Sequence, residues 1–220
     1  MITTGNYDCY FLFYPGGASG NFLKFILHGL ITKSDATIVL SDTNHAHDNL
    51  LETGAKSTRE PGRGDGIRHV YFIEESSKIA PSHIFPSSGL INLINNKHVN
   101  PGIIVISGTH DEDLLEITGN RLIKCSNSDT STREQVLAEI LPLNYAFKDF
   151  GDSNKTKDNL LIIKYNEIFI PVEDSFMGLR NLEDFTGIRA TNKILENYKT
   201  YVNGQKILVQ NNMKWLGSAC

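Results

Sequence analysis

Hydrophobic positions in this chain fall into short dense runs, separated by glycine, proline and charge. Residues 8–15 (DCYFLFYP) are short, aromatic and closed by Pro15-Gly16-Gly17, the pattern of a buried strand. Residues 21–32 then read as a helix. Phe22, Phe25, Ile26, Gly29 and Leu30 share one face, and Leu23 and Leu27 widen it until burial on most sides is expected. Residues 36–40 read as a short extended piece and 43–52 as a short helix with a Thr or Asn cap. The Gly-, Pro- and charge-rich stretch 53–66 is a loop, long for a compact domain, which suits a disordered segment or a lid. Residues 67–73 look strand-like, whereas 77–98 mix Pro, Ser and short apolar runs that fit no one element.

Gly102–Ser107 (GIIVIS) predicts a second buried strand, followed by Gly108-Thr109-His110 and the acidic helix start Asp111-Glu112-Asp113. Residues 121–125 read as a third strand, 126–132 as a polar Ser/Thr loop and 132–140 as a helix. Residues 159–165 (NLLIIKY) make a fourth strand, and amphipathic helices over about 173–186 and 190–202 finish the pattern. Strands alternating with helices predict a single α/β domain over 1–220, with a mainly parallel central sheet and helices on both faces. Ligands collect beyond the carboxyl ends of such strands. The glycine loop, His110 and the Ser/Thr loop each follow a strand and should share one rim.

Bulk composition narrows the function classes. A formal net charge of −4 argues against a nucleic-acid coat, and no run reaches the ~18 apolar residues of a membrane span. The polar start, residues 1–7, lacks a secretory pattern, and Cys9, Cys125 and Cys220 make neither a disulfide framework nor a metal cluster. The expectation is a cytoplasmic protein with neither nucleic-acid nor membrane partners.

The glycine loop carries the most specific chemistry. A strand, a turn through Gly16, Gly17, Ala18, Ser19 and Gly20, and a helix opening at Asn21 and Phe22 aim backbone N–H groups and a positive dipole end at one point, which suits phosphate or sulfate. A plain strand-to-helix turn is the alternative. A Walker-type NTPase needs Lys-Ser/Thr after Gly20, where Asn21-Phe22 stands instead. His110 is a candidate general base, or otherwise a solvated neighbour of a helix cap. The loop with Ser126, Ser128 and nearby Arg133 suits a second phosphate, though Ser/Thr clusters also serve as turns. His45 and His47, two apart, would diverge on a helix and lack a third ligand, so no metal site is assigned. Glu74-Glu75 is a weaker alternative base, and Met213 and Trp215 read as tail-docking residues.

Taken in order, these segments resemble the sulfotransferase branch of the P-loop fold. Members carry Tyr-Pro at the end of an aromatic strand and a Ser-Gly loop, matched here by Tyr14-Pro15 and Ser19-Gly20. A strand ending in Thr-His and a helix with a Leu-Leu pair are matched by Thr109-His110 and Leu114-Leu115. The 3′-phosphate loop is matched by residues 126–133. The segment 161–168 (LIIKYNEI) is similar to the family's Tyr-Glu-Asp-Leu region, and 182–188 (LEDFTGI) to its Phe-Leu-Gly ending.

The resemblance implies a three-layer P-loop-type fold with a central mainly parallel sheet flanked by helices. It also implies PAPS (3′-phosphoadenosine 5′-phosphosulfate) as cofactor, bound by residues 16–22, Ser126, Ser128 and Arg133. His110 would be the base in sulfuryl transfer to a hydroxyl or amine acceptor. Two departures stand out: Gly17-Ala18 replaces the Lys or Arg that usually precedes Ser-Gly, and the Arg opening the 3′-phosphate loop is missing. Lys24 is one candidate for the first role, and Arg133, Arg63 and Arg68 are candidates for the second. An inactive nucleotide- or anion-binding relative acting as an interaction module, and an atypical P-loop kinase, are the alternative readings.

Overall fold

β1 (Cys9–Phe13) is buried at all of its positions, which places it inside a sheet with both faces covered. The computed structural model describes residues 7–38, 40, 79–126 and 133–217. In them β1 is parallel to β2 (Ile79–Ser82) on one side and to β3 (Pro101–Ser107) on the other, and β3 is parallel to β4 (Leu160–Lys164), giving the order β2-β1-β3-β4. Helix α1 (Gly20–Thr32) follows β1, α2 (Ser88–Lys97) joins β2 to β3, and α3 (Asp111–Ser126) and α4 (Arg133–Ser153) lie between β3 and β4. After β4 come a 3₁₀ turn (Tyr165–Ile168), a hairpin of β5 (Pro171–Val172) and β6 (Ser175–Phe176), and helices α5 (Met177–Thr186) and α6 (Asn192–Gly217).

Strand residues alternate between two cores, as the period of two requires. Tyr10, Leu12, Ile104, Ile106, Leu161 and Ile163 pack with α1, α5 and α6 through Phe22, Ile26, Leu182, Phe185 and Tyr198. Cys9, Phe11, Phe13, Ile103, Val105, Leu160 and Ile162 pack on the opposite face against Ile94 of α2 and Phe147 and Phe150 of α4. α1, which follows β1, packs on one face, while α2 (between β2 and β3) and α4 (between β3 and β4) pack on the other. The α/β reading with a small parallel sheet therefore holds.

Several boundaries differ from the sequence reading. The strand expected over 121–125 is the C-terminal part of α3: Leu114, Ile117, Thr118 and Arg121 follow helical spacing, and β4 already occupies the sheet position beside β3. The fourth strand is instead β2, from the stretch that fitted no element; it carries Pro81, which suits its place at the sheet edge among the described residues. α4 runs past Pro142 to Ser153 rather than stopping at 140. The Pro142 side faces solvent, while Asn144, Phe147 and Phe150 keep the helix against the sheet. Residues 36–38 form no strand. They are held by Asn197 of α6, whose Nδ2 donates to the Ala36 carbonyl at 2.8 Å and whose Oδ1 accepts from the Ile38 N–H at 3.0 Å. The expected helix over 43–52, loop over 53–66 and strand over 67–73 lie outside the described residues.

α1 is buried from Phe22 to Leu30, Lys24 and His28 included. Burial first, and then the Lys24 charge, hold the His28 imidazole below its ordinary value of 6.5. Its Nδ1 has no hydrogen-bond partner. The folded state thus takes up this proton later than the unfolded chain, so the stability contribution is full above pH 6.5 and is lost as pH falls through the depressed folded value. The urea midpoint should fall between pH 7.5 and 5.5, and fall less in His28→Gln; equal slopes in the two proteins would contradict the assignment.

Candidate anion site at the glycine loop

Beyond β1 the chain turns sharply, with the Ala18 N–H donating to the Pro15 carbonyl at 3.1 Å. Gly17 has φ 98°, and Ser19 sits in the left-handed region at φ 60°. Two positions here require glycine. A Cβ on Gly17 would lie 2.2 Å from the Ile117 carbonyl oxygen of α3, and one on Gly20 would lie 2.0 Å from the Tyr14 ring.

Ser19 is the N-cap of α1, yet its side chain makes no cap hydrogen bond. Its Oγ instead accepts from the buried Tyr201 hydroxyl of α6 at 2.8 Å. The Leu23 N–H reaches the Ser19 carbonyl at 3.0 Å, and the Asn21 Oδ1 accepts from the Tyr14 hydroxyl at 2.8 Å. Among the described residues, the N–H groups of Gly17, Ser19, Gly20 and Phe22 have no acceptor. These are the orphan donors of a helix start, and they concentrate positive potential at the loop. The place is also the topological switch of the sheet, since β1 connects to β2 on one side while β3 lies on the other.

The loop holds no cation of its own, but α3 brings one. The Arg121 Nε lies 3.2 Å from the position a Gly16 Cβ would take, and Cζ lies 3.6 Å from it. Among the described residues Arg121 makes no ion pair or hydrogen bond. Reading 121–125 as a strand hid it; continuing the helical spacing Ile117, Thr118, Arg121 would have placed it one turn beyond the Gly17 contact. Lys24, the other candidate, is 2% exposed on α1, and its charge acts on His28 one turn further along the helix.

A polar network ties the loop to a neighbouring cleft. Asn120 Nδ2 donates to the Gly17 carbonyl at 3.4 Å and to the Tyr165 hydroxyl at 3.1 Å. That hydroxyl donates to the Glu116 Oε1 at 2.7 Å, which also accepts from Gln205 Nε2 at 3.4 Å. Burial, then the Glu116 charge, push the Tyr165 phenol well above its ordinary value; burial also dominates for Tyr201, which rises despite its bond to Ser19. Both phenols are therefore donors at neutral pH. The cleft encloses about 420 Å³ between Asp113, Glu116, Tyr165, Asn166, Phe169, Gln205 and Lys206.

The expected site residues thus divide. Residues 16–22 form one turn, with Arg121 added to it. Ala18 is fully buried, and its N–H is already engaged by Pro15. His110 is exposed at the head of α3, where Asp113 Oδ2 accepts from the Thr109 and His110 N–H groups at 2.6 and 3.1 Å. No hydrogen bond joins its ring to the loop. Ser126 ends α3 and Arg133 opens α4, with their side chains outside the described residues, as is Ser128 altogether; so are His45, His47, Arg63, Arg68, Glu74 and Glu75. Among the described residues no group of three His, Cys, Asp or Glu side chains is placed to hold a metal, and no helix is long and apolar enough to cross a membrane.

Comparison with known proteins returns no matching family model, no matching curated protein and no matching solved structure. The resemblance to sulfotransferases stands on the residues quoted above.

Gly20→Ala tests the loop packing directly. The added methyl meets the Tyr14 ring, so a loss of about 1–3 kcal/mol in urea denaturation is expected. Unchanged stability would mean that the ring does not press on Gly20.

Proposed function

We propose that this chain binds PAPS at the glycine loop, within a three-layer P-loop-type fold similar to that of sulfotransferases, and passes the sulfuryl group to a hydroxyl or amine acceptor. The supporting observation is a convergence: unpartnered N–H groups at the start of α1 and the unpaired Arg121 guanidinium meet at the switch point of a parallel sheet. An anion is the ligand class that answers both.

The residues fit the cofactor's charged part. The N–H groups of Gly17, Ser19, Gly20 and Asn21 would hold the 5′-phosphosulfate. The Ser19 hydroxyl, already accepting from Tyr201, keeps its own proton to donate. Arg121 would supply the positive charge that Gly17-Ala18 does not, offsetting negative charge that develops during transfer. Ser126, Ser128 and Arg133 would hold the 3′-phosphate. PAPS, when bound, supplies the activated sulfuryl group. His110, at the head of the helix whose Asp113 and Glu116 line the cleft, would take the acceptor's proton.

One observation favours a second reading, an inactive anion-binding relative serving as an interaction module. The cation that lies against Gly16 comes from another helix rather than from the loop itself. The kinase reading has less support, because Asn21 and Phe22 occupy the Walker Lys and Ser/Thr positions.

Calorimetric titration with adenosine 3′,5′-bisphosphate, with Mg-ATP as comparator, tests the site. Tight bisphosphate binding is expected, weakened about tenfold or more by Arg121→Ala through loss of charge-assisted bonds. A folded wild type that ignores the bisphosphate would remove the cofactor assignment. Sulfuryl transfer from labelled PAPS to a panel of hydroxyl and amine acceptors then separates enzyme from binding module.

A further inference from the structure

We propose that Tyr201 is a positioning residue of the anion site, holding the Ser19 hydroxyl so that its proton faces the bound phosphosulfate. This role rests on the function proposed above and adds to it a residue of α6. Tyr201 stands 182 positions from Ser19 and reaches it with a bond of 2.8 Å, in which the phenol donates to Oγ.

Three features make that bond directional. The Tyr201 ring lies flat on Phe22, in the first turn of α1, with 3.7 Å between ring centres and 5° between planes. The hydroxyl therefore cannot swing away from the loop without leaving the stack. Burial pushes the phenol up from its ordinary value, which keeps it a donor at neutral pH. Ser19 itself sits at φ 60° and ψ 18°, outside the extended conformation from which an N-cap side chain reaches the first-turn N–H groups, and it makes no cap bond. Its Oγ thus accepts from Tyr201, and its one proton remains to be given. Ser19 is 7% exposed, and among the described residues nothing accepts that proton. A buried donor without an acceptor is costly. Here it stands with the N–H groups of Gly17, Ser19, Gly20 and Phe22, which are in the same condition. An oxyanion satisfies all of them at once. Without the phenol, the hydroxyl would rotate, and its proton would face the anion for only part of the time.

Calorimetric titration with adenosine 3′,5′-bisphosphate across a double-mutant cycle tests the role, with urea denaturation checking that each protein is folded. Tyr201→Phe keeps the ring on Phe22 and removes only the donor. Ser19→Gly removes the hydroxyl at a backbone angle that glycine adopts freely. Tyr201→Phe should weaken binding about three- to tenfold when Ser19 is present and less than about twofold in Ser19→Gly, because the phenol acts on the anion only through that hydroxyl. A second readout needs no variant. In wild type labelled with ¹³C at the oxygen-bearing tyrosine carbon, the Tyr201 resonance should shift on saturation with bisphosphate, since the anion polarises the hydrogen-bond chain that starts at the phenol. Unchanged binding in Tyr201→Phe, an equal loss in both backgrounds, or an unmoved resonance would overturn the positioning role while leaving the anion site in place. A wild type that binds no bisphosphate would remove the donor site, and the positioning role with it.

Discussion

The contact of α3 with the Gly17 peptide is the constraint around which the candidate site is arranged. The Ile117 carbonyl occupies the space where any other residue would place its Cβ, so the loop and the helix backbone touch without side chains between them. That approach brings Arg121, one turn later, against Gly16, and Asn120 within reach of the Gly17 carbonyl. On the loop's other flank the Tyr14 ring fills the space beside Gly20, and Tyr201 takes the Ser19 hydroxyl away from capping duty. An ordinary N-cap would satisfy one of the helix's orphan donors; here the N–H groups of Gly20 and Phe22 have no acceptor among the described residues.

Burial then sets the chemistry of the surroundings. Tyr165 and Tyr201 are enclosed near the Glu116 carboxylate, and low solvation together with that charge keeps both phenols protonated. They act as fixed donors that orient Glu116 and Ser19. Asn120 and Tyr165 join the loop to the cleft, since Asn120 donates to both the Gly17 carbonyl and the Tyr165 hydroxyl, which in turn donates to Glu116.

Much of the fold was legible in the chain because burial on both faces leaves a strong mark. β1, β3 and β4 appear as dense apolar runs, and α1 as a helix hydrophobic on nearly every side. The misreadings have local causes. Leu122 and Ile123 make a short apolar run that fits strand or helix equally, and only the occupied sheet position beside β3 decides for helix. β2 was hidden because Ile79–Ser82 is four residues long and contains a proline, a composition an edge position tolerates. Of the site, the glycine loop was readable from spacing. Arg121, Tyr201 and Glu116 were not, because they lie 105 positions from Gly16, 182 from Ser19 and 49 from Tyr165 respectively, and long-range partnership leaves no periodic trace.

The sequence by itself determined the strand–glycine loop–helix unit, the parallel α/β class and the lack of a loop cation, since each depends on neighbouring residues and on local backbone preference. Only the tertiary structure decided which helix packs on the loop, which cation arrives there and which carboxylates line the cleft beside it. Those outcomes depend on strand order and on the close approach of α3 to Gly17, which are set by the two cores as a whole rather than by any local run of residues.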